Sequence, residues 1–328
     1  MTVPSATEVA PSTPSVEGLP APVRDALHRV AASVQWRTGQ FLVAGEPAGG
    51  TIEELADALY LHWYTTAPPA DRRETAQGPG WHRQSLVSAL RAAHAMSGLS
   101  PAPWTVLSAQ PSGLLVAAAG GLTRVLRPGD YVAQLRLGVP ASPGEPVWVT
   151  RRLDSLDPAT GFWWTFTEQS PEPPCGRVYL DVRPTMIARV VREVTSVLGT
   201  LGLRYQLKCP SRLSACRRVD TMVVYHERDS RDCLIAALLD RWPELGQMLE
   251  PAVPPLTCEA APGLSWADDD GAAPERSFGE TRCHALAAAL VAADSRWSSA
   301  TSRQRVWLLA AGLREAGIDP ARPWCAPR

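Results

Sequence analysis

Lysine is almost absent from this sequence. Its 328 residues include 32 basic side chains, of which 31 are arginine and one is lysine, Lys208. Alanine, proline and arginine are abundant, the mark of a GC-rich coding bias that depletes lysine codons. In such a chain an ordinary solvent-facing cation drifts to arginine. A lone lysine is then either a leftover or a position that arginine cannot serve. Excess charge is missing too: 33 acidic residues offset the 32 basic ones, leaving a net charge of −1. That excludes a strong overall electrostatic case for DNA, RNA or an anionic membrane as the main partner. No apolar run is long enough for a transmembrane helix.

Ordered cysteine spacing is also lacking. The seven cysteines, Cys175, Cys209, Cys216, Cys233, Cys258, Cys283 and Cys325, form no CxxC pair. An odd, scattered set fits reduced thiols of a cytoplasmic protein better than a disulfide frame or a zinc site. Residues 1–20 have neither the basic start nor the apolar stretch of a signal peptide, and read as a Pro/Ser/Thr-rich disordered arm. The phosphate loop GxxxxGKS, the dinucleotide motif GxGxxG, GxSxG, HExxH and a kinase catalytic loop are all missing. His28, His62, His82, His94 and His284 have no metal-ligand spacing and read as packing or surface residues. The run Asp268, Asp269, Asp270 reads as a solvated turn.

What is present is periodicity. Val23, Leu27, Val30 and Val34 suit a first helix, and Thr51 with Glu54 makes a capping box for a second, through TIEELADALYLHWYT. The spacing predicts a third over 83–96. From about 104 to 168 short β-rich runs alternate with Gly/Pro turns, and 170–176 reads as a linker. The second half alternates: strand 177–182, a helix opening at Pro184 and closing at Gly202, strand 203–208, strand 220–227, then a helix over about 230–248. A Pro/Gly/Asp-rich loop, 250–277, is a lid candidate, and two helices end the chain. The expected fold class is α+β: a helical N-terminal part, then a mixed or antiparallel sheet flanked by helices. The expected division is an arm over 1–20, a peptide- or kinase-docking region over 21–170, and an α+β domain over 171–328.

Strand alternation places Gln206 and Lys208 on one face of strand 203–208, and Arg177 and Tyr179 on one face of strand 177–182. In strand 220–227, Val223 and Tyr225 share one face, Val224 and His226 the other. If the three strands are neighbours, one sheet face gathers Arg177, Tyr179, Gln206 and Lys208, with Tyr225 a further candidate. Arg217 and Arg218 precede the third strand. Such a face suits an anion, and a phosphoryl group above all, because guanidinium forks match its oxygens. The alternative is a solvated polar sheet face with Lys208 exposed. Of the adjacent Trp163 and Trp164, one is a candidate anchor for a peptide or partner.

The blocks GRVYLDVRPTMIARVVREV, LGLRYQLKCP, RRVDTMVVYHERDS and SFGETRCHALAAAL, with YLHWYT, GGLTRVLRPGDYV and EAGIDPARPWC, resemble the HopA-type effector-like family. Members of that family resemble the lyase components of class V lanthipeptide and thioamide-related peptide synthesis. These in turn are distantly similar to phosphothreonine lyases of the OspF/SpvC type. The resemblance implies β-elimination of phosphate from phosphoserine or phosphothreonine in a ribosomal precursor peptide, giving dehydroalanine or dehydrobutyrine. It implies an aminoglycoside-phosphotransferase-like kinase that supplies the phosphopeptide, and no metal or organic cofactor. By that resemblance Lys208 is the base that takes the α-proton. The lysine and histidine of the lyases' first active-site strand fall on Arg177 and Tyr179, so the general acid is Tyr179, Tyr225 or His226. Arg217 or Arg218, together with Arg282, would bind phosphate, with Gln206 beside them. Guanidinium does not give up its proton, which is why arginine could not replace such a lysine. The rival readings are a non-catalytic scaffold for precursor peptide or kinase, and an effector-like protein-interaction module.

Overall fold

Helix α1 (Ala21–Ser33) buries Val23, Leu27 and Val30, the apolar stripe read from the sequence, and ends where Val34 becomes extended. Three short antiparallel strands follow, β1 (Val34–Arg37), β2 (Gln40–Val43) and β3 (Glu46–Pro47). Helix α2 (Ile52–Leu59) starts on the expected capping box: the Thr51 hydroxyl accepts from the Glu54 N–H, and the Glu54 carboxylate accepts from the Thr51 N–H. The aromatic run does not continue that helix in α form. Tyr60–Tyr64 is a π-helical turn, closed where the Thr65 N–H donates to the Tyr60 carbonyl. Helix α3 is Arg83–Ala93.

This computed structural model describes residues 18–66, 83–94, 100, 102–127, 130–133, 141–149, 153–167, 169–173, 175–268 and 276–326, without side-chain detail at 83–85. The arm expected over 1–20 therefore lies almost wholly outside the described residues, as do the last turn expected of the third helix, Asp269 and Asp270.

The β-rich middle makes a five-stranded antiparallel sheet from β4 (Trp104–Ala109), β5 (Leu115–Ala119), β6 (Leu122–Leu126), β7 (Tyr131–Ala133) and β8 (Pro146–Val149), in the order β6-β5-β4-β8-β7. It has its own small core of Val106, Leu115, Ala117, Leu126, Ala141, Val147 and Val149.

The remaining strands build the larger sheet. They are β9 (Asp154–Leu156), β10 (Phe162–Phe166), β11 (Cys175–Leu180), β12 (Tyr205–Pro210), β13 (Met222–Glu227), β14 (Cys258–Ala261) and β15 (Leu264–Asp268). Their order is β14-β15-β11-β13-β12-β10-β9, and each pairing is antiparallel. Helix α4 (Ile187–Thr200) connects β11 to β12; α5 (Arg231–Asp240) and α6 (Trp242–Leu245) follow β13. After β15 come α7 (Phe278–Ala293), α8 (Arg296–Ser299) and α9 (Ser302–Glu315). The α+β class with an antiparallel sheet flanked by helices is what the sequence predicts.

Two features differ from the sequence reading. Packing does not divide near residue 170: β9 and β10 extend the larger sheet, and α1 and α2 share one core with α7 and α9. The stretch 250–277 is no bare loop, because β14 and β15 form a hairpin inside it and add two strands to the sheet. Those strands are short, joined by the turn at Pro262 and Gly263, and carry little alternation.

Each face of the sheet meets helices. Val178, Leu180, Leu207 and Val224 point to a core with α3 and α4. On that side His94 Nε2 lies 2.8 Å from the Tyr205 hydroxyl and 2.9 Å from that of Thr165. Burial lowers the His94 pKa from 6.5 to about 4. The imidazole therefore folds neutral, while the unfolded chain protonates it below 6.5. The stability it contributes is full above pH 6.5 and is lost as pH falls toward 4. Urea unfolding at pH 7 and pH 5 should show this loss, and His94→Gln should flatten it; an equal slope in the variant would refute the assignment.

The opposite face buries Tyr179, Val223 and Ala267 against the helical layer of α1, α2, α7 and α9. That layer covers the β11 and β15 side. Gln206, Lys208, Trp164 and Tyr225, toward β10 and β12, remain half-buried.

Candidate functional site

The strand register assembles the site. One row runs Trp164, Lys208, Val223, Tyr179, Ser265 across five strands; the next runs Phe166, Gln206, Tyr225, Arg177, Ala267. Directly paired residues share a sheet face. Arg177, Tyr179, Gln206, Lys208 and Tyr225 therefore stand on one face, as alternation and strand adjacency require.

Aromatic rings, not water alone, surround the lysine. Lys208 Nζ lies 5.1 Å from the ring centroid of Phe162 and 5.7 Å from those of Trp164 and Tyr225. These are cation–π distances. The Trp164 and Tyr225 rings stack at 5.8 Å. Trp163 is fully buried and donates to Asp154, while Trp164 walls the lysine.

Two of these rings are shared with arginines. The Arg177 guanidinium sits 5.0 Å from the Tyr225 centroid, and the Arg218 guanidinium 5.9 Å from that of Phe162. Arg177, Lys208 and Arg218 thus converge through Tyr225 and Phe162. One carboxylate stands close by. Arg218 donates from Nε and Nη2 to the two oxygens of Asp220, each at 2.8 Å, and from Nη2 to the Tyr60 hydroxyl at 2.9 Å. Burial alone would lower the Arg218 pKa, but the bonds and charge of Asp220 outweigh it and raise the value. Lys208 has no ion-pair partner among the described residues. The local balance is cationic, which suits a multiply charged anion.

The phenols differ from one another. Tyr179 is 3% exposed, and burial raises its pKa, against the opposing charge of Arg177. It keeps its proton under a lid of Phe278, 6.4 Å away. Tyr225 is half-buried, between Arg177 and Lys208. Gln206 donates to the Ser170 hydroxyl at 3.0 Å at the rim. Arg217 is exposed.

Two candidates lie elsewhere. His226 is on the opposite side of the sheet from Lys208, fully buried, with Nδ1 2.8 Å from the Glu227 carbonyl; burial lowers its pKa. Strand parity forbids it from meeting the lysine as an acid. Its ring instead lies over Gly176 of the neighbouring strand, where an added Cβ would come within 2.4 Å of Cε1. Gly176→Ala should therefore cost about 1–3 kcal/mol in urea unfolding through overpacking; an unchanged midpoint would sink this account. Arg282 is fully buried too. It donates to the carbonyls of Pro323 and Cys325 and stacks on Phe278 at 3.8 Å, so the donors described serve the C-terminal segment.

Sequence reasoning missed Tyr60, Phe162 and Asp220. All three lie in or beside stretches already marked, YLHWYT, the Trp163–Trp164 pair and RRVDTM, but the Tyr60 contact joins positions more than a hundred residues apart, and that of Phe162 with Arg218 more than fifty. Two clefts, of about 310 Å³ at Arg314, Ile318 and Arg322 and about 320 Å³ at Trp36, Phe41 and Leu55, lie away from this face. Lys208 itself is half-buried. Among the described residues no group of three or more His, Cys, Asp or Glu is placed to hold a metal ion, and no helix is long and apolar enough to cross a membrane.

The HopA1 effector protein family matches residues 162–325, half of the chain, starting at the strand whose rings wall the lysine. The chain belongs to this family. A solved structure of the effector protein from Pseudomonas syringae pv. tomato strain DC3000 is 14% identical, with a TM-score of 0.52 over 93% of this chain and 97% of that one. The likeness is one of fold, and it extends beyond the family match into the N-terminal half. The effector protein from Pseudomonas syringae pv. syringae strain 61 is 16% identical, with a TM-score of 0.47 over 84% of this chain and 96% of that one. No curated protein matches the sequence.

Proposed function

We propose that this chain is a phosphoserine/phosphothreonine lyase acting on a phosphorylated ribosomal precursor peptide. The convergence of Lys208 with Arg177 and Arg218 on shared rings carries this reading. Lys208 removes the α-proton. The Cα–H electrons form the Cα=Cβ bond as the Cβ–O bond breaks and phosphate leaves. Arg177 and Arg218 stabilise the charge that grows on the departing group. Tyr225 supplies its proton, being the half-buried phenol nearest both cations; Tyr179 backs it from the buried side. The products are dehydroalanine and dehydrobutyrine. A kinase of the aminoglycoside-phosphotransferase type supplies the phosphopeptide, and its phosphorylated side chain reaches the half-buried Lys208.

One observation favours a second reading. Three ring faces around Nζ stabilise an ammonium, which suits a module that holds a phosphopeptide without turning it over. The likeness in fold to an effector protein is compatible with a protein-interaction role as well. Incubation of the full chain with a kinase-phosphorylated precursor peptide separates these. Mass spectrometry should record loss of one phosphoric acid per modified residue, and thiol addition should trap the alkene. Tight binding with no mass change would favour the holding module.

A further inference from the structure

The end of helix α2 places Tyr60 against an arginine of the family-matched half of the chain. Tyr60 lies outside that matched segment, yet its hydroxyl accepts from Arg218 Nη2 at 2.9 Å, and the Arg218 guanidinium stacks on its ring at 5.4 Å. The contact is braced on both sides. The Val219 N–H donates to the Thr65 carbonyl, and Thr66 forms an isolated antiparallel bridge with Arg218. Behind Tyr60, Tyr64 stacks at 5.5 Å with planes 12° apart. Gly279 lets helix α7 close on Tyr64: a Cβ there would come within 2.4 Å of Tyr64 Cε1.

With Asp220 on Nε and Nη2 and Tyr60 on Nη2, the guanidinium plane is fixed from two directions, and Nη1 carries neither contact. We propose that Tyr60 is a positioning residue: it orients Arg218 so that Nη1 faces an incoming phosphoryl group, and the N-terminal half thereby completes the anion site. This rests on reading the Lys208 face as a phosphate site. The π-turn that begins at Tyr60 carries Thr65 and Thr66 to the strand of Arg218 and Val219. Burial, together with the Asp220 charge, raises the Tyr60 pKa to about 12, so the hydroxyl stays neutral and remains a fixed partner across the working pH range.

The test uses inorganic phosphate and the full chain, followed by titration calorimetry. Tyr60→Phe should weaken phosphate binding about tenfold, the worth of one hydrogen bond to a charged group. The same change in an Arg218→Ala background should add nothing, because Tyr60 acts through that arginine. Tyr60→Phe binding phosphate as tightly as the unaltered protein would overturn the proposal. So would an equal loss in both backgrounds, the mark of a purely structural role, or a failure of the unaltered protein to bind phosphate. Elimination is a separate matter: a protein that couples Tyr60 to Arg218 in phosphate binding but leaves phosphopeptides intact retains this inference and loses the lyase reading.

Discussion

Lys208→Arg is expected to slow phosphate elimination by about a hundredfold to ten-thousandfold while leaving phosphopeptide binding nearly intact. The range is the usual worth of a positioned acid or base. The substitution separates the two roles a cation can play here. Arginine keeps the positive charge and stacks well on aromatic faces, so the shelf of Phe162, Trp164 and Tyr225 can still hold it. It cannot give up a proton in the accessible pH range, so it cannot take one from Cα. Lys208→Met should lose both properties, weakening binding as well as turnover. Single-turnover mass spectrometry gives the rate, and calorimetry with the same phosphopeptide gives the affinity. If the arginine variant eliminated phosphate at the original rate, Lys208 would be an electrostatic clamp and another group would be the base.

Arg282→Met should cost about 3 kcal/mol of stability and should loosen the C-terminal segment. Its guanidinium is fully buried and bonds the Pro323 and Cys325 carbonyls, the former from two nitrogens. A hydrogen bond to a charged group is worth about 1.5–3 kcal/mol, and carbonyls stranded in a dry interior cost comparably. Methionine fills similar volume without donors, so the loss is of bonding rather than of packing. The segment it holds reaches the sheet, where the Asp268 N–H donates to the Trp324 carbonyl. Urea unfolding reads the first effect, and faster proteolytic trimming after α9 reads the second. At a temperature where the variant is folded, phosphate affinity should stay close to the original value. A large fall in phosphate affinity with unchanged stability would instead return Arg282 to the anion site.

Local rules carried the sequence reading a long way. The alternation of LRYQLK and GRVYLDV puts Lys208, Gln206, Arg177 and Tyr179 on common faces, and β13 between β11 and β12 joins those faces into one. The same alternation already set His226 behind Tyr225; only the family resemblance brought it forward as an acid. What stayed hidden was long-range. β10 looks like one more strand of the β-rich middle, and nothing local says that Trp164 pairs with Lys208, forty-four positions on. The choice between Arg217 and Arg218 depends on Asp220 and Tyr60, and adjacent arginines look alike in a sequence. Arg282 was legible as a cation at a helix start, but not as the anchor of a segment forty-one residues further along.

The turn at Tyr60–Tyr64 bears on chain length as well as shape. Its closing bond spans five residues where an α-helix spans four, so it holds one residue more than the regular helix would. Deleting a single residue here would restore ideal helical bonding and improve the segment by local criteria. The chain on either side would keep its phase, because five residues of π-turn cover about the rotation that four cover in an α-helix. Thr65 and Thr66 would stay beside Val219 and Arg218. The turn therefore absorbs a change in residue count, and relatives that keep this site can differ here by one residue in length as well as in letter.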